Sequence, residues 1–510
     1  MISLLKKLKP YSSTNCAHTM STYEDALRAL TKLQSNAAYK ATASTSKYIK
    51  FLNTEQCLIR SGMSVKQIDQ MSIIHVAGTK GKGSTCAFAE SILRHHGFTT
   101  GFFSSPHLVT VRERIRINGE PISKSMFTEY FWKVYKKLDE SKQNDMDMPM
   151  YFKFLTILMF HIFYDLKLDV IVVEVGIGGE LDSTNIIRCP VCVGITSLGL
   201  EHTAILGDTI QEIAHQKAGI FKYNTVAYTV PQKIEALDVL RKRAKERKCS
   251  LHIVPPLQAF GWKNLPNLIM TNNFQQNNVC LAMSLAATWI QYKTKNNIYA
   301  QKLITAENIT NNIKETNMVN KNGSSVKNLI DPLSLLEITE SISSCKWPGR
   351  MQILNTSVAD FYLDGAHTLE SIEGCIAWFG NVPLDRANKK YLIFNITGNR
   401  NSACFLSLFK LLNFQRAYFV PNIAGVSTID AITNSAHASD SDILKCKQHC
   451  VIWGNNAVFA NNIVEILESL KEECVIETKQ KPQILVTGSL HLVGAVLTVL
   501  DKNLTMKSDL

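Results

Sequence analysis

The residues best suited to chemistry lie in a segment rich in glycine and lysine that directly follows the apolar run Ile73–Ala77. The segment consists of Gly78, Thr79, Lys80, Gly81, Lys82, Gly83 and Ser84. A strand that leads through glycines into a helix is typical of a phosphate-binding loop, because backbone N–H groups, the helix N-terminus and a lysine all attract phosphate oxygens. The ordinary loop reads G-x-x-x-x-G-K-[ST]. Here Val76 replaces its first glycine and Gly83 replaces its magnesium-binding hydroxyl, so the sequence predicts a variant loop that lacks one magnesium ligand.

Four further polar groups follow predicted strands. They are Ser104-Ser105-Pro106-His107, Glu174, Glu201-His202 and Asp364-Gly365-Ala366-His367. Each group alone is typical of a solvated or structural residue. Because ligands of parallel α/β sheets bind at the carboxyl ends of the strands, we expect these groups to share that edge with the phosphate loop. A hydroxyl, a carboxylate and an imidazole from neighbouring strands could then complete the protein part of a magnesium shell.

Strands and helices alternate from residue 73 to about residue 254, which predicts a doubly wound parallel sheet that carries the phosphate loop. Residues 168–175 form an apolar, β-branched run of the kind buried on both faces. Residues 272–330 are rich in Asn, Gln, Lys and Thr and are partly irregular. Trp347-Pro348-Gly349-Arg350 then leads into a second, smaller α/β domain of the Rossmann-like type, with helices predicted at residues 369–379, 457–470 and 490–500. The predicted domains are residues 21–340 and 345–510.

Composition is that of a globular protein of 510 residues, with 45% hydrophobic and 19% charged residues. No apolar run is long enough to span a bilayer, so we expect no integral membrane association. The net charge of +12 is dispersed, and its densest cluster, Arg241-Lys242-Arg243, falls in a helical pattern. This pattern favours a solvated helix face, or else a diffuse field that attracts a polyanionic substrate, over nucleic-acid binding. Thirteen scattered cysteines indicate free thiols in a reducing compartment.

The first 20 residues are basic, contain leucines and hydroxyl residues, and have no acidic residue. This composition is that of a mitochondrial leader, although lysine stands in place of the usual arginine. A disordered cytosolic tail is the alternative. Met20 could start a second, leaderless product, so the expected location is cytoplasmic, mitochondrial or both.

Longer motifs extend the comparison to a known family. The chain resembles the eukaryotic type of folylpolyglutamate synthase, a family related to the Mur ligases, in a series of motifs that runs in order along most of the chain. They are the loop at residues 75–84, Ser105-Pro106-His107-Leu108, residues 113–119, 173–179 and 200–209, Gln216-Lys217-Ala218-Gly219-Ile220, residues 347–350 and 364–367, and Thr487-Gly488-Ser489-Leu490-His491.

The resemblance implies a role for individual residues. The loop would hold the ATP phosphates, with Lys82 on the transferred group, and Arg350 and Asp364 would contact ATP as well. Ser105, Glu174 and His202 would bind Mg²⁺, and a monovalent cation such as K⁺ is a further cofactor of the family. Lys217 would be carbamylated, unless it is a surface lysine of a helix at residues 210–220. His367 and Ser489 would lie near the nucleotide and the incoming glutamate, and Ser105, Pro106 and His107 would lie in the loop that covers the folate.

Two positions depart from the family pattern. Residues 397–401 lack the acidic residues expected beside Arg400, and Glu180 stands where bacterial relatives have a basic residue. The resemblance implies an ATP-dependent ligase, expected to be a monomer, that joins L-glutamate to the γ-carboxylate of a reduced folate through an acyl phosphate. The alternatives are dihydrofolate synthase and a nucleotide-binding regulatory protein without ligase activity.

Overall fold

Two α/β units make up the computed structural model, which describes residues 22–35, 47–144, 147–260, 273–307, 335–381, 389–396, 402–432, 440–477 and 481–507. The first unit contains an eight-stranded sheet in the order β4-β3-β2-β5-β1-β6-β7-β8. Its strands are β1 Ile73–Ala77, β2 Thr100–Phe103, β3 Ile115–Ile117, β4 Glu120–Pro121, β5 Val170–Glu174, β6 Cys192–Ile195, β7 Val226–Thr229 and β8 Ser250–Ile253. Among the described strands of this sheet, β3 runs antiparallel to both of its neighbours, β2 and β4, and the other pairings are parallel.

Strand β1 lies at the centre of this sheet, between β5 and β6, and both of its pairings are parallel. All five of its residues are buried, as are those of β5. Helices cover both faces, which explains why these strands are continuous apolar runs. The helices are Tyr23–Ser35, Lys47–Arg60, Val65–Asp69, Lys82–His95, Lys124–Glu140, Tyr151–Leu166, Thr203–Leu206, Ile210–Lys217, Ile234–Glu246, Asn273–Glu307 and Leu335–Ser343.

The second unit contains a six-stranded sheet in the order β13-β12-β11-β14-β10-β9, in which only β9 is antiparallel to its neighbour. Its strands are β9 Gln352–Asn355, β10 Asp360–Leu363, β11 Lys390–Phe394, β12 Arg416–Phe419, β13 Ala457–Phe459 and β14 Gln483–Thr487. Its helices are Leu369–Gly380, Ser402–Lys410, Asp440–Trp453, Ile463–Glu477 and Leu490–Leu500. Apolar clusters on both faces of the sheet give it a core of its own. The predicted fold class is confirmed, whereas the predicted domain limits stay a prediction.

The helix predicted at residues 457–470 is wrong in its first part. Ala457–Phe459 forms the edge strand β13, paired parallel with β12, and the helix begins only at Ile463. Asn462 lies directly before the helix and accepts a hydrogen bond from the backbone N–H of Glu465 at 3.1 Å. This is an N-cap contact, and it separates the strand from the helix.

Several sequence predictions lie outside the described residues, namely those on residues 1–20, on residues 397–401 and on part of residues 272–330. The cysteines whose side chains the structure describes form no disulfide bond with one another, and most of them are buried. None of the helices within the described ranges is both long and apolar enough to cross a lipid bilayer.

Candidate active site

The phosphate loop, residues 78–84, connects β1 to helix Lys82–His95 and is tied to the carboxyl end of β6. The backbone N–H groups of Thr79 and Lys80 donate to Ser197 O at 3.0 and 3.1 Å. The Thr79 hydroxyl donates to Gly199 O at 3.2 Å and accepts from Gly199 N at 3.1 Å. Gly81, the residue before the helix, has φ +85°, a conformation that glycine adopts without strain. The helix N-terminus therefore opens toward the carboxyl edge of the sheet.

Lys82 and Gly83 form the first turn of this helix, followed by the buried Ser84. Lys82 Nζ lies 3.4 Å from Thr79 O, so its charge stays above the loop. A Cβ added to Gly83 would lie 2.7 Å from Cζ2 of Trp347 and 3.3 Å from Oε2 of Glu174. Real Cβ atoms do not approach so closely, and the position of the ordinary loop's hydroxyl residue is therefore restricted to glycine here.

Glu174 and Ser105 meet beside Gly83, as predicted. Glu174 is buried, and its Oε2 accepts a hydrogen bond from Ser105 N at 3.1 Å. Burial raises the pKa of Glu174, although the nearby Lys82 and the Ser105 hydrogen bond oppose the rise. Ser105, Glu174, Gly83, Pro106 and Arg350 line one cavity between the two units. A buried carboxylate next to a lysine and a serine suits an oxygen-ligated cation such as Mg²⁺.

His202 lies on the same edge after β6, is exposed and has φ +54°. Partial burial lowers the pKa of His202, with Lys82 and Lys217 also lowering it and Glu201 opposing, which favours the neutral imidazole that binds metals. Within the described ranges no group of three or more His, Cys, Asp and Glu side chains could hold a metal by itself. The predicted set relies on the hydroxyl of Ser105, and its role as a metal site stays a prediction.

Glu201 joins the phosphate loop to the second unit, and this contact was not predicted. Its Oε1 accepts hydrogen bonds from Lys80 Nζ at 3.0 Å and from His367 Nε2 at 3.1 Å. Lys80 Nζ also lies 2.9 Å from His367 Nε2. His367 Nδ1 donates to Gly365 O at 2.7 Å, which places the proton of the neutral ring on Nδ1. In the neutral ring Nε2 therefore accepts a hydrogen bond from Lys80, whereas in the charged ring Nε2 is protonated and donates to Glu201.

Charge balance sets the ionisation of Glu201. Burial alone raises its pKa, but the hydrogen bond from His367 and the charge of Lys80 outweigh burial and lower it. Lys80 itself has a pKa lowered by burial, which the attraction of Glu201 partly offsets. The cluster thus holds an ionised carboxylate between two units at the loop.

Lys217 is buried, with 3% of its surface exposed, which excludes the alternative of a surface lysine. Its helix, Ile210–Lys217, ends at this residue, and a short 3₁₀ turn, Ala218–Ile220, completes the segment predicted as one helix. Lys217 Nζ donates to Gly78 O at 2.6 Å. Burial lowers the pKa of Lys217 well below its ordinary value, with Lys82 adding to the effect. The neutral amine, which a lowered pKa favours, is the form that reacts with carbon dioxide.

Arg350 and Asp364 lie together at the junction of the units. The carboxylate of Asp364 accepts from the backbone N–H groups of Met351 and Ala366, both at 2.9 Å. Burial raises the pKa of Asp364, and Arg350 opposes the rise. Burial lowers the pKa of Arg350, while Asp364 and Glu174 raise it. Arg350 is thus a half-buried cation close to carboxylates of both units.

Two predicted substrate residues make structural contacts. His107 is buried and accepts a hydrogen bond from Arg114 Nε at 2.9 Å through its Nδ1. Ser489 is the N-cap of helix Leu490–Leu500, and its hydroxyl accepts from His491 N at 3.1 Å. Their sequence neighbours Pro106, Leu108 and Leu490 line the cavity. Their roles toward a substrate stay predictions.

The basic cluster of helix Ile234–Glu246 is not simply a solvated face. Arg243 is buried, and its guanidinium donates to Glu180 at 2.5 Å, while Arg247 donates to the same carboxylate at 3.0 Å. Glu180 N donates in turn to Gln216 O at 2.7 Å, next to Lys217. Glu180 therefore fastens this helix to the segment that carries Lys217.

The fold and the site geometry define a two-unit α/β protein whose phosphate-type loop faces the second unit. No model of a protein family matches the chain. It is 42% identical over 445 residues to the protein named "Folylpolyglutamate synthase, mitochondrial" of Bos taurus. The aligned region covers 84% of this chain and 74% of the relative. The chain belongs to the folylpolyglutamate synthase family.

Solved structures share the fold. The apo form of FPGS from L. casei superposes with a TM-score of 0.67 at 22% identity, over 93% of this chain and 98% of that one. A structure described as an FPGS-AMPPCP-folate complex gives a TM-score of 0.64 at 21% identity, over 93% of this chain and 98% of the other. At these identities the likeness concerns the architecture.

Proposed function

We propose that this protein is an ATP-dependent ligase that adds L-glutamate to the γ-carboxylate of a reduced folate. The proposal rests on one observation: the phosphate loop, Glu174 and Arg350 line one cavity between the units. The chain is also 42% identical to a relative named for this activity. One related fold is described in complex with AMPPCP, a nucleotide analogue, and folate.

The reaction proceeds in two steps. An oxygen of the folate γ-carboxylate attacks the γ-phosphorus of ATP, the bond to the β,γ-bridging oxygen breaks, and ADP leaves. The amine of glutamate then attacks the acyl phosphate carbon and loses a proton, and the C–O bond to phosphate breaks to give the amide and inorganic phosphate. Catalysis of this kind is mostly positioning and charge stabilisation.

Cations of both units surround the phosphoryl group in this proposal. Lys82, above the loop, neutralises the oxygens of the transferred group, and Arg350 approaches it from the second unit. Loop backbone N–H groups hold the remaining phosphates. Lys80 and His367, which contact each other and the shared carboxylate of Glu201, bring the second unit over the loop. Asp364 holds the backbone after Arg350.

The residues present fit Mg²⁺, because Gly83 supplies no hydroxyl and a buried carboxylate and a serine lie beside it. Ser105, Glu174 and His202 would hold the ion, which shields the negative charge of the phosphates when bound. Lys217, if carbamylated, would add a carboxylate-type ligand. A monovalent cation such as K⁺ belongs to the same proposal.

A labelled-glutamate assay tests the proposal. Purified protein with ATP, Mg²⁺, tetrahydrofolate and labelled glutamate should give a labelled, longer folate tail and stoichiometric ADP. Lys82→Ala and Glu174→Ala should each lower kcat by roughly 100-fold or more, since each removes a charge from the reacting centre. Lys133→Ala is the matched control, because Lys133 lies on the exposed face of helix Lys124–Glu140 and pairs there with Asp165 of helix Tyr151–Leu166.

Other outcomes would refute the proposal. Glutamate incorporation without ATP, or none with any folate, contradicts it. Incorporation into dihydropteroate but not tetrahydrofolate would assign the protein to dihydrofolate synthesis. ATP binding without glutamate-dependent ADP release would indicate a regulatory protein.

We also propose a mitochondrial form and a monomeric state. The first rests on the basic N-terminal composition and on the mitochondrial name of the Bos taurus relative. Fluorescent fusions that start at Met1 and at Met20 should separate a mitochondrial from a cytoplasmic product. Light scattering should give a mass close to 57.1 kDa.

A further inference from the structure

Trp347 contacts three elements of the first unit, and no step of the proposed reaction uses it. Its ring lies against Gly83 at the start of the loop helix, where an added Cβ would come within 2.7 Å of Cζ2. The ring centroid is 5.4 Å from that of Phe102 in β2. The guanidinium carbon of Arg116 in β3 lies 5.2 Å from the centroid. The indole is therefore packed into the first unit on several sides.

The second unit holds the second half of the linker, which consists of residues 347–350. Gly349 O accepts a hydrogen bond from Gly365 N at 3.1 Å, and Gly349 N donates to Gln352 Oε1 at 2.9 Å. Gly349 has φ +72°, and an added Cβ would lie 3.1 Å from both Leu108 and Val493. The chain thus passes from one unit to the other between Trp347 and Gly349.

Arg350 directly follows this crossing. It lines the same cavity as Gly83, Glu174 and Trp347. Its distance from the phosphate loop depends on where Trp347 seats the linker, because only two residues lie between them. The Nε1–H of Trp347 is buried and has no hydrogen-bond partner within the described protein, so packing rather than hydrogen bonding holds the ring.

We propose that Trp347 is a positioning residue that seats the linker, and with it Arg350, on the phosphate loop. Its indole fills the volume that a serine or threonine side chain takes in the ordinary loop. Gly83 and Trp347 therefore fit together sterically, because the missing side chain at position 83 leaves room for the indole ring. The effect on turnover rests on the proposed function, whereas the Gly83–Trp347 contact does not.

A double-mutant cycle tests this fit. Gly83→Ala should lower kcat/KM for ATP by roughly 30-fold, because its methyl group collides with a ring that is packed on its other sides. Trp347→Ala should lower it by roughly tenfold, mainly through kcat, because Arg350 acts on the group in transfer. The double variant should be no worse than Trp347→Ala alone, since the colliding ring is gone. Additive losses would overturn the proposal.

Three further variants separate packing from other causes. Trp347→Phe should stay within about threefold of wild type, and a loss equal to that of Trp347→Ala would show that an aromatic ring at position 347 does not seat the linker, which would overturn the packing argument. Trp347→Ala should have little effect on an Arg350→Ala background, and an undiminished effect there would contradict positioning. Gly374→Ala is the control, because nothing lies within 4 Å of a Cβ added to this helical glycine.

Thermal unfolding distinguishes failure of this proposal from failure of the proposed function. A purely structural Trp347 would lower the melting temperature while kcat/KM at low temperature stayed unchanged, which would refute positioning. If wild-type protein binds ATP but extends no folate, the proposed function fails alone. The same cycle is then measured as the ATP-induced rise in melting temperature, and additivity there would refute the Gly83–Trp347 coupling.

Discussion

Replacing Glu201 with glutamine should loosen the contact by which the two units meet over the phosphate loop. The carboxylate accepts from Lys80 at 3.0 Å and from His367 at 3.1 Å, and the three side chains are between 15% and 23% exposed. A hydrogen bond to a charged group contributes about 1.5–3 kcal/mol. Because solvent partly screens this cluster, we take a loss of about 2 kcal/mol, which is about a 30-fold change in the closing equilibrium.

Two measurements check the Glu201→Gln prediction. The variant should show kcat/KM for ATP lowered by about 30-fold, and small-angle X-ray scattering should give a larger radius of gyration than wild type. Glu24→Gln is the matched control, because Glu24 pairs with Arg28 on an exposed helix surface. Unchanged activity together with an unchanged radius would refute the argument that Glu201 holds the units together.

The same contact has a defined pH dependence. The folded-state pKa of Glu201 lies below the ordinary value of 4.5, so the stability that it contributes is present above pH 4.5 and is lost as the pH falls through the lower folded value. The difference in radius of gyration between wild type and the Glu201→Gln variant should therefore stay constant from neutral pH down to about pH 4.5. Opening of the wild type alone near neutral pH would contradict this sign.

Three further predictions concern groups that are partly or fully buried. Burial, together with Arg247, lowers the pKa of Lys222 from 10.5 to about 8, so between these pH values the unfolded state binds more protons than the folded state. The free energy of unfolding of wild type, measured in denaturant, should therefore rise by about 2 kcal/mol more than that of Lys222→Met between pH 7 and 10. Parallel pH curves for the two proteins would contradict this. Tyr23 donates to Asp430 at 2.6 Å across the two units, and Tyr23→Phe should cost about 1 kcal/mol of closure, seen as roughly a fivefold rise in KM for ATP; an unchanged KM would refute it. ¹³C-bicarbonate should give a carbamate NMR signal that Lys217→Met abolishes, and a signal that survives in the variant would place the carbamate elsewhere.

The sequence predicted the central strands because their signal is local. Residues 73–77 and 168–175 are continuous apolar runs, and such runs form parallel strands covered by helices on both faces. The strand at Ala457–Phe459 was missed because three residues carry too little pattern to separate them from the helix that follows. The carboxyl-edge location of Ser105 and Glu174 was also predicted, since the rule for parallel sheets needs only the strand ends.

Contacts between distant residues were beyond the sequence pattern. Glu201 and His367 are 166 positions apart and come together only when the second unit packs on the first. The reason for Gly83 is likewise a ring 264 positions later in the chain, at Trp347. The burial of Lys217 could have been suspected from its place among apolar residues at the end of an amphipathic helix, but the choice between buried and exposed depended on the packing of Gly179 and Glu180.

Glu180 carries a consequence for descent within the family. One carboxylate pairs with Arg243 and Arg247, so a basic residue at position 180 would face two like charges. Lineages with lysine or arginine there should carry neutral or acidic residues at positions 243 and 247. Positions 243 and 247 are 63 and 67 positions from Glu180, yet the three should change together, so that their charges would indicate the branch to which a sequence belongs.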